Sequence, residues 1–104
     1  MRLLVTGGAG FIGGAVVAAA RAQGWEVRIL DSLRADVHGA AATPAGDVIV
    51  GDVRDPETVD RALDGVDAVS HQAAKVGLGV DLSDAPDYVG SNDLGTAVLL
   101  ARMA

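Results

Sequence analysis

Thr6-Gly7-Gly8-Ala9-Gly10-Phe11-Ile12-Gly13 follows the apolar run Leu3-Leu4-Val5 and precedes a stretch compatible with helix. That order reads as a strand turning on glycines into a helix N-terminus. Such a turn presents unpaired backbone N–H groups and the positive end of the helix dipole, a place where a pyrophosphate fits. Gly7 is expected to allow the tight turn, Gly10 to let the pyrophosphate approach the backbone with no Cβ in the way, and Gly13 to let the helix pack closely on the sheet. Phe11 and Ile12 open that helix and join the three glycines in the expected cofactor-binding set. The spacing Gly-x-x-Gly-x-x-Gly differs slightly from the commonest dinucleotide fingerprint, and a glycine turn alone is weak evidence.

The rest of the unit adds weight. Glu26-Val27-Arg28-Ile29-Leu30 alternates polar and apolar residues as a second strand does, and it ends at Asp31, 18 positions beyond Gly13. An acid there accepts the ribose hydroxyls of an adenosine, the expected NAD contact. The plain alternative is a strand-end acid facing solvent; the strand, glycine turn and helix before it favour the ribose. Arg34 is placed to meet a 2′-phosphate, but Asp31 repels one, which favours NAD over NADP.

At 104 residues the chain is expected to be a single unit, residues 1–104, or part of one. Half of it is hydrophobic with only one Phe, one Tyr and one Trp, so the core must be aliphatic. The net charge is −6 and the acids are spread throughout, which argues against a nucleic-acid partner. Cysteine is absent, so disulfides and thiol chemistry are excluded. Met1-Arg2 followed by an uncharged stretch imitates a signal peptide, but glycines interrupt it and cleavage would remove the phosphate-binding turn. The expectation is a cytoplasmic protein with no membrane partner.

Along the chain, strand and helix alternate, which predicts an α/β fold: a Rossmann-like parallel sheet with helices on both faces, here truncated after about four strands. Strands are expected at Arg2 to Thr6, Glu26 to Asp31, Asp47 to Gly51 and Val66 to Ser70. Helices are expected from Phe11 to Gln23, stopped by Gly24, and from Pro56 to about Asp64, with Asp55 as N-cap. Trp25 reads as a packing residue and residues 32 to 46 as a loop or poor helix. His71 to Val80 reads as a flexible loop beyond the fourth strand, on the side where open α/β sheets bind ligands. A last helix is expected to start between Asp84 and Ser91 and to carry Leu94, Val98 and Leu99.

Other chemistries fail on pattern. Ser70 and His71 are strand neighbours pointing to opposite faces, so they make no nucleophile and base pair. His38 has no partners in a polar loop. Asp81, Asp84 and Asp87 read as acids before a helix rather than a metal cluster, and no metal site is expected. No Gly-Lys-Ser/Thr follows the glycines, which excludes a nucleoside-triphosphate loop.

With these segments placed, the sequence resembles the N-terminal part of the extended short-chain dehydrogenase/reductase family, the NAD-dependent nucleotide-sugar epimerases and dehydratases. The matches are the Thr6 to Gly13 turn, Asp31, Gly51-Asp52-Val53-Arg54-Asp55, His71-Gln72-Ala73-Ala74 and Asn92-Asp93-Leu94-Gly95-Thr96. The resemblance covers all 104 residues and about the first third of a typical member. It implies that Asp52 and Val53 contact the adenine, and that Ala73 and Ala74 pass close to the ribose and diphosphate. It places Lys75 near the nicotinamide end, where a solvated loop lysine is the plain alternative. Asn92 would sit at the nicotinamide or fix backbone around it, against a plain helix-capping role.

The family's general base is a tyrosine in Tyr-x-x-x-Lys. The single tyrosine here, Tyr88, is followed four positions later by Asn92, and the single lysine, Lys75, precedes both. No catalytic residue is therefore assigned, and whether the chain is itself an enzyme, an isomerase or lyase of that family, is left open. The leading reading is the NAD-binding portion of an epimerase or dehydratase, with a nucleotide sugar bound by the complete protein. Its alternatives are a stand-alone NAD-binding or redox-sensing module, or an inactive remnant or subunit. The last strand edge and the apolar face of the last helix lead to the expectation of a homo-oligomer or pairing with another chain.

Overall fold

The computed structural model describes residues 1–33, 46–75 and 81–104. The readings of Arg34 and His38, those of residues 34–45 within the expected 32–46 loop or poor helix, and those of residues 76–80 fall outside the described residues.

Four parallel strands, β1 (Arg2–Thr6), β2 (Glu26–Asp31), β3 (Asp47–Val50) and β4 (Ala68–His71), lie in the order β3-β2-β1-β4. Leu3 pairs with Val27 on one side and Ala68 on the other, and Thr6 with Leu30 and His71. The chain leaves β1, goes one way to β2 and β3, and returns on the other side as β4. The crevice between β1 and β4 is therefore the switch point at which such sheets hold ligands.

Side-chain alternation splits the core into two layers, as a sheet covered on both faces requires. Leu3, Val5, Val27 and Ile29 pack with Val17 and Ala20 of α1 (Phe11–Ala22) on one face. Leu4 and Leu30 pack on the other face with Val59 and Ala62 of α2 (Pro56–Leu63) and with Leu99. The local stops are as expected: Gly24 sits at φ +81° beyond α1 and Gly65 at φ +72° beyond α2. Asp55 caps α2 by accepting the Glu57 N–H at 3.2 Å, with Pro56 opening the helix. Arg28, a charged side chain on a half-buried strand, donates to the carbonyls of Arg61, Ala62 and Asp64 and pairs with Asp47 at 2.9 Å, closing the C-terminal end of α2.

Some boundaries differ from expectation. β4 begins at Ala68, not Val66, because Val66 still donates to the Leu63 carbonyl in the turn after α2. β3 ends at Val50, although the Gly51 N–H continues the ladder to the Asp31 carbonyl. Trp25 is 41% exposed, so it packs less than expected. The last helical stretch is composite: a 3₁₀ turn (Leu82–Asp84), α3 (Ala85–Tyr88), a π-helical segment (Val89–Leu94) and α4 (Gly95–Met103). Its apolar face is partly covered, because Leu99 is buried and Val98 packs against the core, whereas Leu94 and Met103 are exposed. Among the described residues no helix is long and apolar enough to cross a membrane.

Candidate functional site

The carboxyl ends of all four strands open onto one cleft of about 640 Å³. Its walls include Gly7, Gly10, Phe11, Ile12 and Gly13 from the β1–α1 turn, and Asp31 and Ser32 from the end of β2. They continue through Asp52, Val53 and Arg54 after β3, and Ala73, Ala74 and Lys75 after β4. Every residue expected to bind a cofactor is thus on this cleft except Asn92, which acts on it through Lys75.

The glycine turn is built by close approaches. Gly7 adopts φ +69°, a conformation that favours glycine, and a Cβ there would lie 2.8 Å from the Ala73 nitrogen. The turn and the segment after β4 can approach each other only because Gly7 has no side chain. Gly13 corrects its expected role: an added Cβ would fall 2.0 Å from the Gly7 carbonyl oxygen, so this glycine fits helix to turn, not helix to sheet. Gly8 makes the sheet contact, facing Ile29. Gly10 is the N-cap of α1, and no side chain caps that helix and no acid occupies its first turn. The first-turn amides are left to the cleft, with the dipole favouring an anion there.

Asp31 is not a solvent-facing strand-end acid; it is only 7% exposed. One carboxylate oxygen accepts the Ala9 N–H and the other the Leu33 N–H, each at 2.9 Å. Leu33 sits at φ 52°, so the acid also holds a strained turn. The same carboxylate thus ties the glycine turn to the end of β2 while it borders the cleft. Asp52 accepts the Arg54 N–H at 2.9 Å and pairs with the Arg54 guanidinium at 2.5 Å, so it does stabilise its own loop.

Lys75 is not a solvated loop lysine. Its ammonium lies 3.1 Å from the Asp87 carboxylate and 5.2 Å from the centre of the Tyr88 ring. Asn92 is not a helix cap: it lies within the π-helical segment and grips the Lys75 backbone, accepting its N–H at 2.7 Å and donating to its carbonyl at 3.1 Å. The sequence reading did not assign Arg54, Asp87 or Ser91 to the cleft, which they also line. Arg54 lies within Gly51-Asp52-Val53-Arg54-Asp55, but nothing local signals that it reaches toward Asp87, 3.9 Å away. Ser70 and His71 diverge as strand alternation requires: the Ser70 hydroxyl accepts from the Gln72 amide, and His71 turns to Thr6 and Thr96. Burial holds the His71 imidazole below the ordinary histidine range. Among the described residues no group of acids and histidines is placed to hold a metal ion.

A model of the NAD dependent epimerase/dehydratase family matches residues 3–104. The dTDP-glucose 4,6-dehydratase of Streptomyces niveus is 36% identical over 111 residues, a match covering 96% of this chain and 33% of that protein. The UDP-glucose 4-epimerase of Halalkalibacterium halodurans is 36% identical over 107 residues, covering 99% of this chain and 31% of that protein. The UDP-glucose 4-epimerase of Thermus thermophilus, solved as a complex with NAD, superposes with a TM-score of 0.84 at 40% identity, over 98% of this chain and 33% of its own. The chain therefore spans about a third of the length of these relatives.

Proposed function

The chain belongs to the NAD dependent epimerase/dehydratase family, and from that premise we propose that it is the NAD-holding portion of an enzyme acting on a nucleotide sugar. The observation that carries the proposal is the single cleft into which the uncapped start of α1, the buried Asp31 and the Asp52-Val53 and Ala73-Lys75 segments all converge. Its volume is of the size that small-molecule pockets have.

The donor set fits a dinucleotide. The Phe11, Ile12 and Gly13 amides, reached past Gly7 and Gly10, would take the pyrophosphate. Asp31 would accept from the adenosine ribose, and Asp52 with Val53 would border the adenine. Ala73 and Ala74 would leave room for the cofactor backbone, with Lys75, fixed by Asn92, toward the nicotinamide. Bound there, the nicotinamide supplies a hydride acceptor and donor for a carbon bearing a sugar hydroxyl. The residues of this chain bind and orient; none of them forms the Tyr-x-x-x-Lys pair that would remove the hydroxyl proton.

Relatives of both kinds, an epimerase and a dehydratase, support a nucleotide sugar as the substrate class of the whole protein. Calorimetric titration of the chain with NAD and with NADP tests the cofactor reading. Tighter binding of NAD is expected, because a 2′-phosphate beside Asp31 sets like charges together. Equal affinity for both, or no binding of either, would count against it.

A further inference from the structure

The segment Gln72–Lys75, which forms one wall of the cleft, belongs to no helix or strand, yet its backbone is held at four points by side chains. The Thr6 hydroxyl oxygen accepts the Ala73 N–H and shares the Gln72 N–H with the Thr6 backbone carbonyl, each at 3.1 Å, and Asn92 holds the Lys75 N–H and carbonyl. One imidazole joins these two anchors. His71 Nδ1 lies 2.6 Å from the Thr6 hydroxyl and Nε2 lies 3.0 Å from the Thr96 hydroxyl, which itself donates to the Asn92 carbonyl at 2.6 Å.

The proton positions follow from counting donors. The Ala73 N–H and the shared Gln72 N–H already point at the Thr6 hydroxyl oxygen, and His71 Nδ1 is the acceptor within reach of its own hydrogen, so Nδ1 must be unprotonated. The Thr96 hydrogen goes to the Asn92 carbonyl, so Thr96 accepts from Nε2, which must carry the hydrogen. Only the neutral Nε2–H tautomer satisfies every member. Burial disfavours the imidazolium and so agrees with this assignment.

We propose that His71, as the neutral Nε2–H imidazole, is a positioning residue that locks the Gln72–Lys75 wall against the glycine turn and thereby sets the width of the cleft. The ring does not line the cleft; it acts through Thr6 and, by way of Thr96, through Asn92. The clearance it fixes is small, because a Cβ on Gly7 would already lie 2.8 Å from the Ala73 nitrogen. The inference rests on the reading of this cleft as the NAD site only for its consequence in binding; the lock itself is a property of the chain without ligand.

Nitrogen-detected NMR of the unliganded chain at pH 7 reads the tautomer directly, with a His38→Asn variant separating the two histidine signals. The expected result is an Nε2–H imidazole for His71; an Nδ1–H tautomer or an imidazolium would overturn the proposal. Amide exchange gives the second readout. Thr96→Val, which removes the acceptor at a position off the cleft, should speed exchange of the Ala73 amide, whose acceptor is the Thr6 hydroxyl, and weaken NAD binding, each by roughly tenfold. Thr96→Ser keeps the hydroxyl and should restore both. A wild-type exchange rate at Ala73 in a folded Thr96→Val chain would overturn the lock. If Thr96→Val does not fold, His71→Asn read by the same exchange takes its place, with an unchanged rate again overturning the proposal. Failure of the wild-type chain to bind NAD, with the Nε2–H tautomer present and that amide slow, supports the lock and overturns the cofactor reading alone.

Discussion

Replacing Gly13 by alanine tests whether the turn and helix α1 are fitted as tightly as the structure shows. A Cβ there would lie 2.0 Å from the Gly7 carbonyl oxygen and 2.7 Å from its carbon. Non-bonded heavy atoms sit at about 3.5 Å or more, so turn and helix must part by roughly 1.5 Å. The Gly7 carbonyl accepts the Gly10 N–H at 3.0 Å, and that bond cannot survive such a shift. Its loss costs about 1 kcal/mol, and overpacking against backbone about 1–3 kcal/mol. Alanine's better helix propensity returns about 1 kcal/mol. The balance is a destabilisation of about 1–3 kcal/mol, or roughly 5–20 °C in Tm for a domain of this size. The neighbouring Gly14→Ala is the control, because its Cβ would meet only the Gly8 carbonyl oxygen at an ordinary 3.8 Å. It should be neutral or more stable by up to about 1 kcal/mol. Thermal and urea unfolding followed by circular dichroism compare the two variants. A Gly13→Ala chain as stable as Gly14→Ala would refute the packing argument.

Gly10→Val should abolish NAD binding while leaving the far-ultraviolet dichroism spectrum near that of the wild type, since the branched side chain would occupy the space of the pyrophosphate; unchanged affinity by calorimetry would remove the phosphate role from this turn. Asp31→Asn sets an amide NH₂ against one of the two backbone N–H groups the carboxylate now accepts, so urea denaturation should show a loss of about 1.5–3 kcal/mol together with reduced preference for NAD over NADP. Equal stability of the variant and the wild type would contradict the bridging role of Asp31. The lowered pKa of His71 makes the folded chain bind fewer protons than the unfolded chain once the pH falls below about 6.5. Its contribution is therefore fully present above that pH and is lost as the pH falls toward the folded value. The slope from this group is bounded by one proton, about 1.4 kcal/mol per pH unit, and is smaller for a ring that is only partly buried. His71→Asn should show a flatter stability profile than the wild type between pH 5 and about 7; parallel profiles would mean that the ring does not titrate as described.

The parts of the fold that were legible in the sequence are those specified by neighbours along the chain. Gly24 and Gly65 end helices by their own backbone freedom, and Asp55-Pro56 starts one by capping and a fixed φ, so a few adjacent residues suffice. The strands were legible because Leu3 to Val5 and Val27 to Leu30 must face two apolar layers at once. The start of β4 was not, because whether Val66 joins the strand depends on how the turn after α2 closes. At the cleft, the spacing of the glycine turn and Asp31 was enough to place both of them on its wall. What could not be read were the partners: Thr6 and His71 are 65 residues apart, His71 and Thr96 are 25 apart, and Lys75 meets Asp87 across a turn of the fold. No periodicity encodes such pairs, so Lys75 looked like an isolated cation and His71 a residue without a role until the strands were set side by side.

On the proposed function, one cleft at the carboxyl ends of the strands receives the dinucleotide along its whole length. Titrating NAD into the ¹⁵N-labelled chain and following every backbone amide by NMR tests it most directly. The signals of Gly7 and Gly10 to Gly13, of Asp31, of Asp52 and Val53, and of Ala73 to Lys75 are expected to move together and saturate with one dissociation constant. Those of Val66, Ala68, Val69 and Met103, which line a separate groove at the other end of β4, should stay in place. Movement confined to that groove, with the glycine turn silent, would show that the dinucleotide does not bind in this cleft.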